Sequence, residues 1–202
     1  RRQRQICIRD RYNTNKPIVI NAGNSGTLAR LIMGLLVDCK DKIIIEGDSS
    51  LSKRDFSRVA NPLRLFGANI ALKNNKMPVR IQGSNFLRPI NYQENLGSAQ
   101  CKSAVMLAAL KTPGITKIKA KKSRDHTELL YKSLKIPIKL KSINNFDYIE
   151  IKGITNFNNF IYKVPGDISS CAFFLVLTLL SNKSAIIIKD INCLLYTSPS
   201  PR

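Results

Sequence analysis

Three stretches of the chain are apolar on nearly every side, and each follows a short turn of small polar residues. They read GNSGTLARLIMGLL from Gly23, GSAQCKSAVMLAAL from Gly97 and GDISSCAFFLVLTLL from Gly166. Each predicts a helix, and a helix without a polar face belongs at the centre of its domain. Two further helices are predicted with one apolar side. In the first, from Ser50, Phe56, Val59, Leu63 and Phe66 share a face and Gly67 stands where a capping glycine is expected; in the second, from Ser123, Leu130 and Leu134 point inward.

Short stretches rich in Ile and Val lie between these helices and predict strands at Lys16–Asn21, Lys42–Glu46, Asn69–Lys73, Pro78–Gln82, Ile115–Lys119, Ile136–Lys141, Asp147–Lys152 and Ser184–Lys189. The order is strand, buried helix, strand, amphipathic helix, strand, strand. The apolar helices begin 74 and 69 residues apart, too long a period for a solenoid but suited to a supersecondary unit used repeatedly. An α/β fold follows, with central helices and sheets outside them. A fresh unit starts near Val164, which places a lobe boundary at 163–165.

Composition narrows the class. With 44% hydrophobic and 23% charged residues among 202, the chain is globular in character. The longest apolar run, Cys171 to Leu180, is half the ~20 residues a membrane helix needs. Five scattered cysteines and a single histidine support neither a disulfide framework nor a structural zinc site, and a reducing cytoplasm fits best. The net charge of +20 is large, but the lysines are spread along the chain rather than gathered in a stripe, and Lys, Ile and Asn dominate as in proteins from AT-rich genomes. The ends stand apart. Residues 1–11, RRQRQICIRDR, and 194–202, LLYTSPSPR, resemble translated sequencing adapter, so the fold reading uses 12–193: a first lobe at 12–163, truncated at its N-terminal side, and the start of a second at 164–193.

A helix N-terminus presents unpaired N–H groups and about half a positive charge, so it attracts anions. Small Gly, Ser and Thr residues let a phosphate or carboxylate come close, although the same residues also serve as plain N-caps. Here the helix starts are built alike, and Arg30, Arg54, Lys102 and Arg124 stand near them. Sites for phosphorylated or carboxylated ligands and plain N-caps are both compatible with these starts.

Five motifs in order, GNSGT, GDSSLSKRDFSRVANPLRLFGA, SAQCKSA, SRDHTE and VPGDISSCAFFL, resemble the 3-phosphoshikimate 1-carboxyvinyltransferase, or EPSP synthase, family across nearly all of 12–193. The resemblance implies an inside-out α/β barrel of the enolpyruvyl transferase type, two-lobed, each lobe built from three β-α-β-α-β-β units, with one lobe nearly complete here. It implies transfer of the enolpyruvyl group of phosphoenolpyruvate to the 5-hydroxyl of shikimate 3-phosphate with release of phosphate, without metal or organic cofactor, by a cytoplasmic protein that is monomeric when complete. Carried over by position, Gly26, Arg54 and Gln100 meet phosphoenolpyruvate, while Ser98, Ala99, Gln100, Ser123 and Arg124 hold shikimate 3-phosphate. His126 is expected to be a helix-start residue and Asp167 a helix cap. The family's substrate-binding D-K-S segment would precede residue 12, and its catalytic Asp and Glu would follow residue 193. This chain therefore carries no assigned catalytic residue and is not expected to turn over alone.

Two rivals are weaker. The sister enzyme acting on UDP-N-acetylglucosamine has its loop cysteine in a C-x-x-G-x-R-P setting, whereas Cys101 and Cys171 lie inside predicted apolar helices. A basic nucleic-acid-binding module would need a clustered basic face and exposed aromatics, but there is no Trp, and Phe173 and Phe174 fall in a helix predicted to be buried.

Overall fold

The computed structural model describes residues 17–154, 160–161, 163–164 and 166–192. Two compact units divide the chain, the first ending at residue 157.

The first unit holds two four-stranded sheets with one topology. In the first sheet β1 (Ile18–Asn21), β2 (Ile43–Glu46), β3 (Asn69–Lys73) and β4 (Lys76–Gln82) run in the order β1-β2-β4-β3. In the second, β5 (Asn91–Glu94), β6 (Ile115–Lys121), β7 (Ile138–Ile143) and β8 (Phe146–Lys152) run in the order β5-β6-β8-β7. Both sheets open with a parallel pair, β1 with β2 and β5 with β6, and finish with antiparallel partners. Even the hairpin tips correspond: Asn74-Asn75 joins β3 to β4 and Asn144-Asn145 joins β7 to β8. In each the second Asn carbonyl accepts a backbone bond from the segment that leads into the next helix, Phe56 in one repeat and Lys122 in the other. The β-α-β-α-β-β unit predicted from the pattern is thus present twice.

Strands form where branched residues alternate. In β8, Asp147, Ile149 and Ile151 turn inward while Tyr148 and Lys152 face out; β6 alternates in the same way. β5 was not predicted, because NYQE has no branched residue. Its parallel pairing with β6, Asn91 beside Lys117 through Glu94 beside Ala120, makes it a strand.

Four helices accompany the sheets, α1 (Gly26–Leu35), α2 (Ser57–Leu65), α3 (Ala99–Lys111) and α4 (His126–Ser133); α1 and α2 pack on α3, α3 also meets β6 and β8, and α4 lies against β7. The centre is α3, with Cys101, Ala104, Val105, Met106, Ala108 and Ala109 all buried. α1 is buried on one side only; Ala29 and Met33 face in, while Leu28 and Leu35 are half exposed. The two helices nearly touch, since a Cβ on Gly34 would fall 2.2 Å from the Ala104 carbonyl oxygen. The expected face of Phe56, Val59, Leu63 and Phe66 is fully buried, and Gly67, at φ +113°, caps α2. That helix is not continuous from Ser50, however. A 3-10 turn at Leu51–Lys53 ends at Arg54, whose extended backbone separates it from α2. In α4 the fully buried residues are Glu128 and Tyr131, with Leu130 and Leu134 only partly covered.

The second unit contains α5 (Ile168–Leu180) and a two-residue parallel pairing of β9 (Gly166–Asp167) with β10 (Ile191–Asn192). Two expectations fail here. Ser184–Lys189 is not a strand, because a strand needs a hydrogen-bonded neighbour and none lies beside it among the described residues. Nor is α5 buried: Phe173 and Leu179 are 81% and 85% exposed, and Phe174 is exposed too. The only sheet structure described in this unit pairs two residues with two, too little to cover a thirteen-residue apolar helix.

Candidate functional site

Because β1 and β2 run parallel, the turns that follow them lie side by side at one end of their sheet. Ser25 caps α1 there by accepting from the Leu28 N–H at 3.1 Å. Asp48, just after β2, ties the two turns together, accepting from the Leu51 N–H at 2.7 Å and from Asn24 Nδ2 at 2.5 Å. These two bonds, the Leu51 N–H foremost, hold the Asp48 carboxyl below its ordinary range.

Gly26, the first residue of α1, is buried because guanidinium groups close over it. A Cβ there would lie 2.7 Å from Arg30 Nη1 and 3.2 Å from Arg54 Nη1. Gly26 and Arg54 are thus brought together. Arg30, visible in the sequence as a cation near a helix start, was given no ligand there. Its Nη1 donates to the Gly26 carbonyl at 3.3 Å and to Gln100 Oε1 at 3.0 Å, and its Nη2 to the Asp55 carbonyl at 3.3 Å; the guanidinium also stacks on Phe56, 4.9 Å from the ring centre. Burial lowers its pKa; nearby Cys101 opposes this, while Arg54 and Arg58 add to it. The available signal was spacing: Arg30 lies four residues after Gly26, one helical turn along the same face.

Gln100 joins the repeats. Its Oε1 accepts from Arg30, and its Nε2 donates to Thr27 Oγ1 at 2.8 Å, so the starts of α1 and α3 are linked across a separation of 73 residues. Ser98 caps α3, accepting from the Cys101 N–H at 3.3 Å, and Ala99 follows as its first residue. The preceding turn is anchored by buried Glu94, which accepts from the N–H groups of Leu96 at 3.2 Å and Gly97 at 2.6 Å and pairs with Arg58 at 3.1 Å. Gly97 has φ +72°, a left-handed turn that favours glycine.

The β5–β6 pair repeats the β1–β2 arrangement. A Cβ on Gly97 would lie 3.6 Å from the Lys122 carbonyl, so the Ser123–Arg124 turn is a neighbour of the Ser98 turn. Arg124 is exposed, and the Ser123 hydroxyl is buried without a hydrogen-bond partner among the described residues. A buried hydroxyl in that state suits an incoming acceptor. His126 is the first residue of α4, and the Asp167 carboxylate accepts from the Ser170 hydroxyl at 2.9 Å at the start of α5.

Two anion-receptive places result. One is the α1 start with Arg30 and Arg54; the other is the pair of turns carrying Ser98, Ser123 and Arg124. Gln100 stands at the α3 start that belongs to both.

The family profile for EPSP synthase (3-phosphoshikimate 1-carboxyvinyltransferase) matches residues 2–195. A 3-phosphoshikimate 1-carboxyvinyltransferase of Caldicellulosiruptor saccharolyticus is 43% identical over 180 residues, covering 88% of this chain and 41% of the relative. Another, from a Thermotoga species, is 43% identical over 171 residues, covering 84% and 39%. Among solved structures, EPSP synthase from Acinetobacter baumannii superposes with a TM-score of 0.68 at 38% identity, over 80% of this chain and 36% of that one. The chain spans about two fifths of the length of the curated relatives it matches.

Proposed function

Since this chain belongs to the EPSP synthase (3-phosphoshikimate 1-carboxyvinyltransferase) family, we propose that it is the part of such an enzyme that receives both substrates. In the reaction the 5-hydroxyl of shikimate 3-phosphate gives up its proton and its oxygen bonds to C2 of phosphoenolpyruvate, while C3 takes a proton. The tetrahedral intermediate then loses phosphate from C2 and a proton from C3, leaving the enolpyruvyl ether. Both partners are polyanions, so the reaction first needs cations and helix starts that bring two like-charged molecules together.

In this reading Gly26 lets phosphoenolpyruvate approach the α1 start, and Arg54, with Arg30 beside it, balances its charge. Ser98, Ala99, Ser123 and Arg124 receive shikimate 3-phosphate, and Gln100 touches both ligands. The observation that carries the reading is the Gln100 bridge: its amide already bonds Arg30 and Thr27 at the α1 start while it belongs to the first turn of α3. The reading gives this chain the binding of both substrates and assigns no acid or base group to it. The intact enzyme is read as cytoplasmic and monomeric. Separately, among the described residues no helix is long and apolar enough to cross a membrane.

Titration calorimetry of the chain with shikimate 3-phosphate, then with phosphoenolpyruvate, tests this. Binding of shikimate 3-phosphate that Ser123→Ala and Arg124→Ala weaken supports the assignment. Binding that ignores both substitutions refutes it, and phosphate release from the two substrates refutes the division of labour.

A further inference from the structure

Lys102 and Glu128 form a buried ion pair in the first unit, with Nζ 2.5 Å from Oε1 and side chains 0% and 2% exposed. Apart from this contact, neither Nζ nor either carboxylate oxygen has a hydrogen-bond partner among the described residues. Burial pushes the Glu128 carboxyl upward, and the charge and hydrogen bond of Lys102, with a smaller contribution from Glu128's own backbone N–H, pull it back, so the ionised carboxylate depends chiefly on Lys102.

Placement gives the pair meaning. Lys102 stands one turn into α3, its N–H bonded to the Ser98 carbonyl at 3.1 Å, directly behind the residues read as receiving shikimate 3-phosphate. Glu128 lies in the first turn of α4, the helix that follows the Ser123–Arg124 turn in the chain. A second cross-link, Ser103 Oγ to Thr127 Oγ1 at 2.7 Å, joins the same two turns. Stability alone does not account for the pair, because apolar residues of similar volume usually do as well or better than a buried ion pair. An apolar contact, however, lets two helices slide, whereas a short charge pair fixes one distance.

We infer that Lys102 and Glu128 are positioning residues, a strut that holds the Ser98–Gln100 turn and the Ser123–Arg124 turn at the separation one phosphorylated ligand requires. The inference rests on the substrate reading above for the identity of the ligand, but not for the strut itself.

The experiment uses the 202-residue chain with two readouts: calorimetric affinity for shikimate 3-phosphate, and amide hydrogen exchange across residues 98–102 and 123–128. In K102M/E128L both charges leave together, so the urea midpoint is expected to stay near that of the parent. Affinity is expected to fall about tenfold, and exchange in both turns to quicken while the first sheet keeps its protection. Parent-like affinity with parent-like exchange overturns the strut. Should the double variant fail to fold, E128D decides instead, because it keeps both charges and shortens the reach; the same losses are expected, and parent-like behaviour overturns the inference. If the parent binds no shikimate 3-phosphate, the substrate reading fails, and exchange in the two turns still judges the strut by itself.

Discussion

Gly34→Ala tests the packing on which the whole site depends. A methyl group at this position would meet the Ala104 oxygen at 2.2 Å, its carbonyl carbon at 3.0 Å and its Cα at 3.1 Å, where ordinary contact begins at 3.4 Å. All three atoms are backbone, so no side-chain rotation can make room, and α1 and α3 must part by about 1 Å. Overpacking of this kind costs roughly 1–3 kcal/mol, while alanine regains about 1 kcal/mol over glycine inside a helix. The expected result is a net loss of about 1 kcal/mol, or roughly 0.5 M in a urea midpoint at a slope of ~2 kcal/mol/M.

Stability is only half of the prediction. The Gln100 bonds to Thr27 and Arg30 cross the same seam at 2.8 and 3.0 Å, and a 1 Å separation breaks them. Phosphoenolpyruvate affinity should therefore fall even in molecules that remain folded. Leu35→Ala is the control: it neighbours the same contact, is half exposed, and should leave that affinity unchanged. Equilibrium urea unfolding followed by calorimetry reads both effects. A Gly34→Ala chain more stable than the parent, or equally stable with unchanged ligand affinity, would show that α1 and α3 do not meet at Ala104.

Gly26→Ala should behave in the opposite way, with little change in stability because the atoms it meets are the mobile ends of Arg30 and Arg54, but with phosphoenolpyruvate affinity reduced about tenfold or more as both guanidinium groups shift; unaltered affinity counts against the Gly26 assignment. Asp48 and Asp55 are both held below 3.8, Asp48 chiefly by the Leu51 N–H and Asp55 by its hydrogen bonds from Ser57; their contribution to folding is complete above the ordinary carboxylate range and lost as pH falls through the depressed values. Carboxyl NMR titration should place both midpoints below 3.8, and an Asp48 midpoint above it rules out the turn-to-turn link. On α5, replacing exposed Phe173 and Leu179 with Glu should reduce concentration-dependent association in sedimentation velocity, and unchanged association would exonerate this face.

What the sequence made legible was what is local. Phe56, Val59, Leu63 and Phe66 repeat at helical spacing and are all buried; the small-residue turns at Gly23 and Gly97 do precede helices, and Gly67 does end one. The misses share a cause, dependence on a partner far along the chain. β5 is a strand because β6 lies beside it, and Ser184–Lys189 is not because no strand among the described residues does. Lys102 was visible only as a cation near a helix start, since its partner is 26 residues away on another element. Arg30 was visible as a cation near a helix start, but its partner Gln100 lies 70 residues further on.

That distance follows from how the fold repeats. Within each unit, a parallel pair of strands brings two successive turns to the same end, because parallel strands finish together. One unit therefore supplies the Gly26 and Arg54 turns, and the next supplies the Ser98 and Ser123 turns. Close packing of α1 on α3, permitted by the missing side chain at Gly34, then sets one repeat's helix start against the other's. A site for two anions needs only a residue that can serve both starts, and Gln100, with an acceptor toward Arg30 and a donor toward Thr27, is chemically matched to that place. Asparagine there would have the same groups on a shorter stem and would reach at most one of them, so Gln100→Asn should separate the contribution of the bridge from that of the amide itself. If the asparagine variant binds both ligands as the parent does, the two helix starts are held together by packing alone.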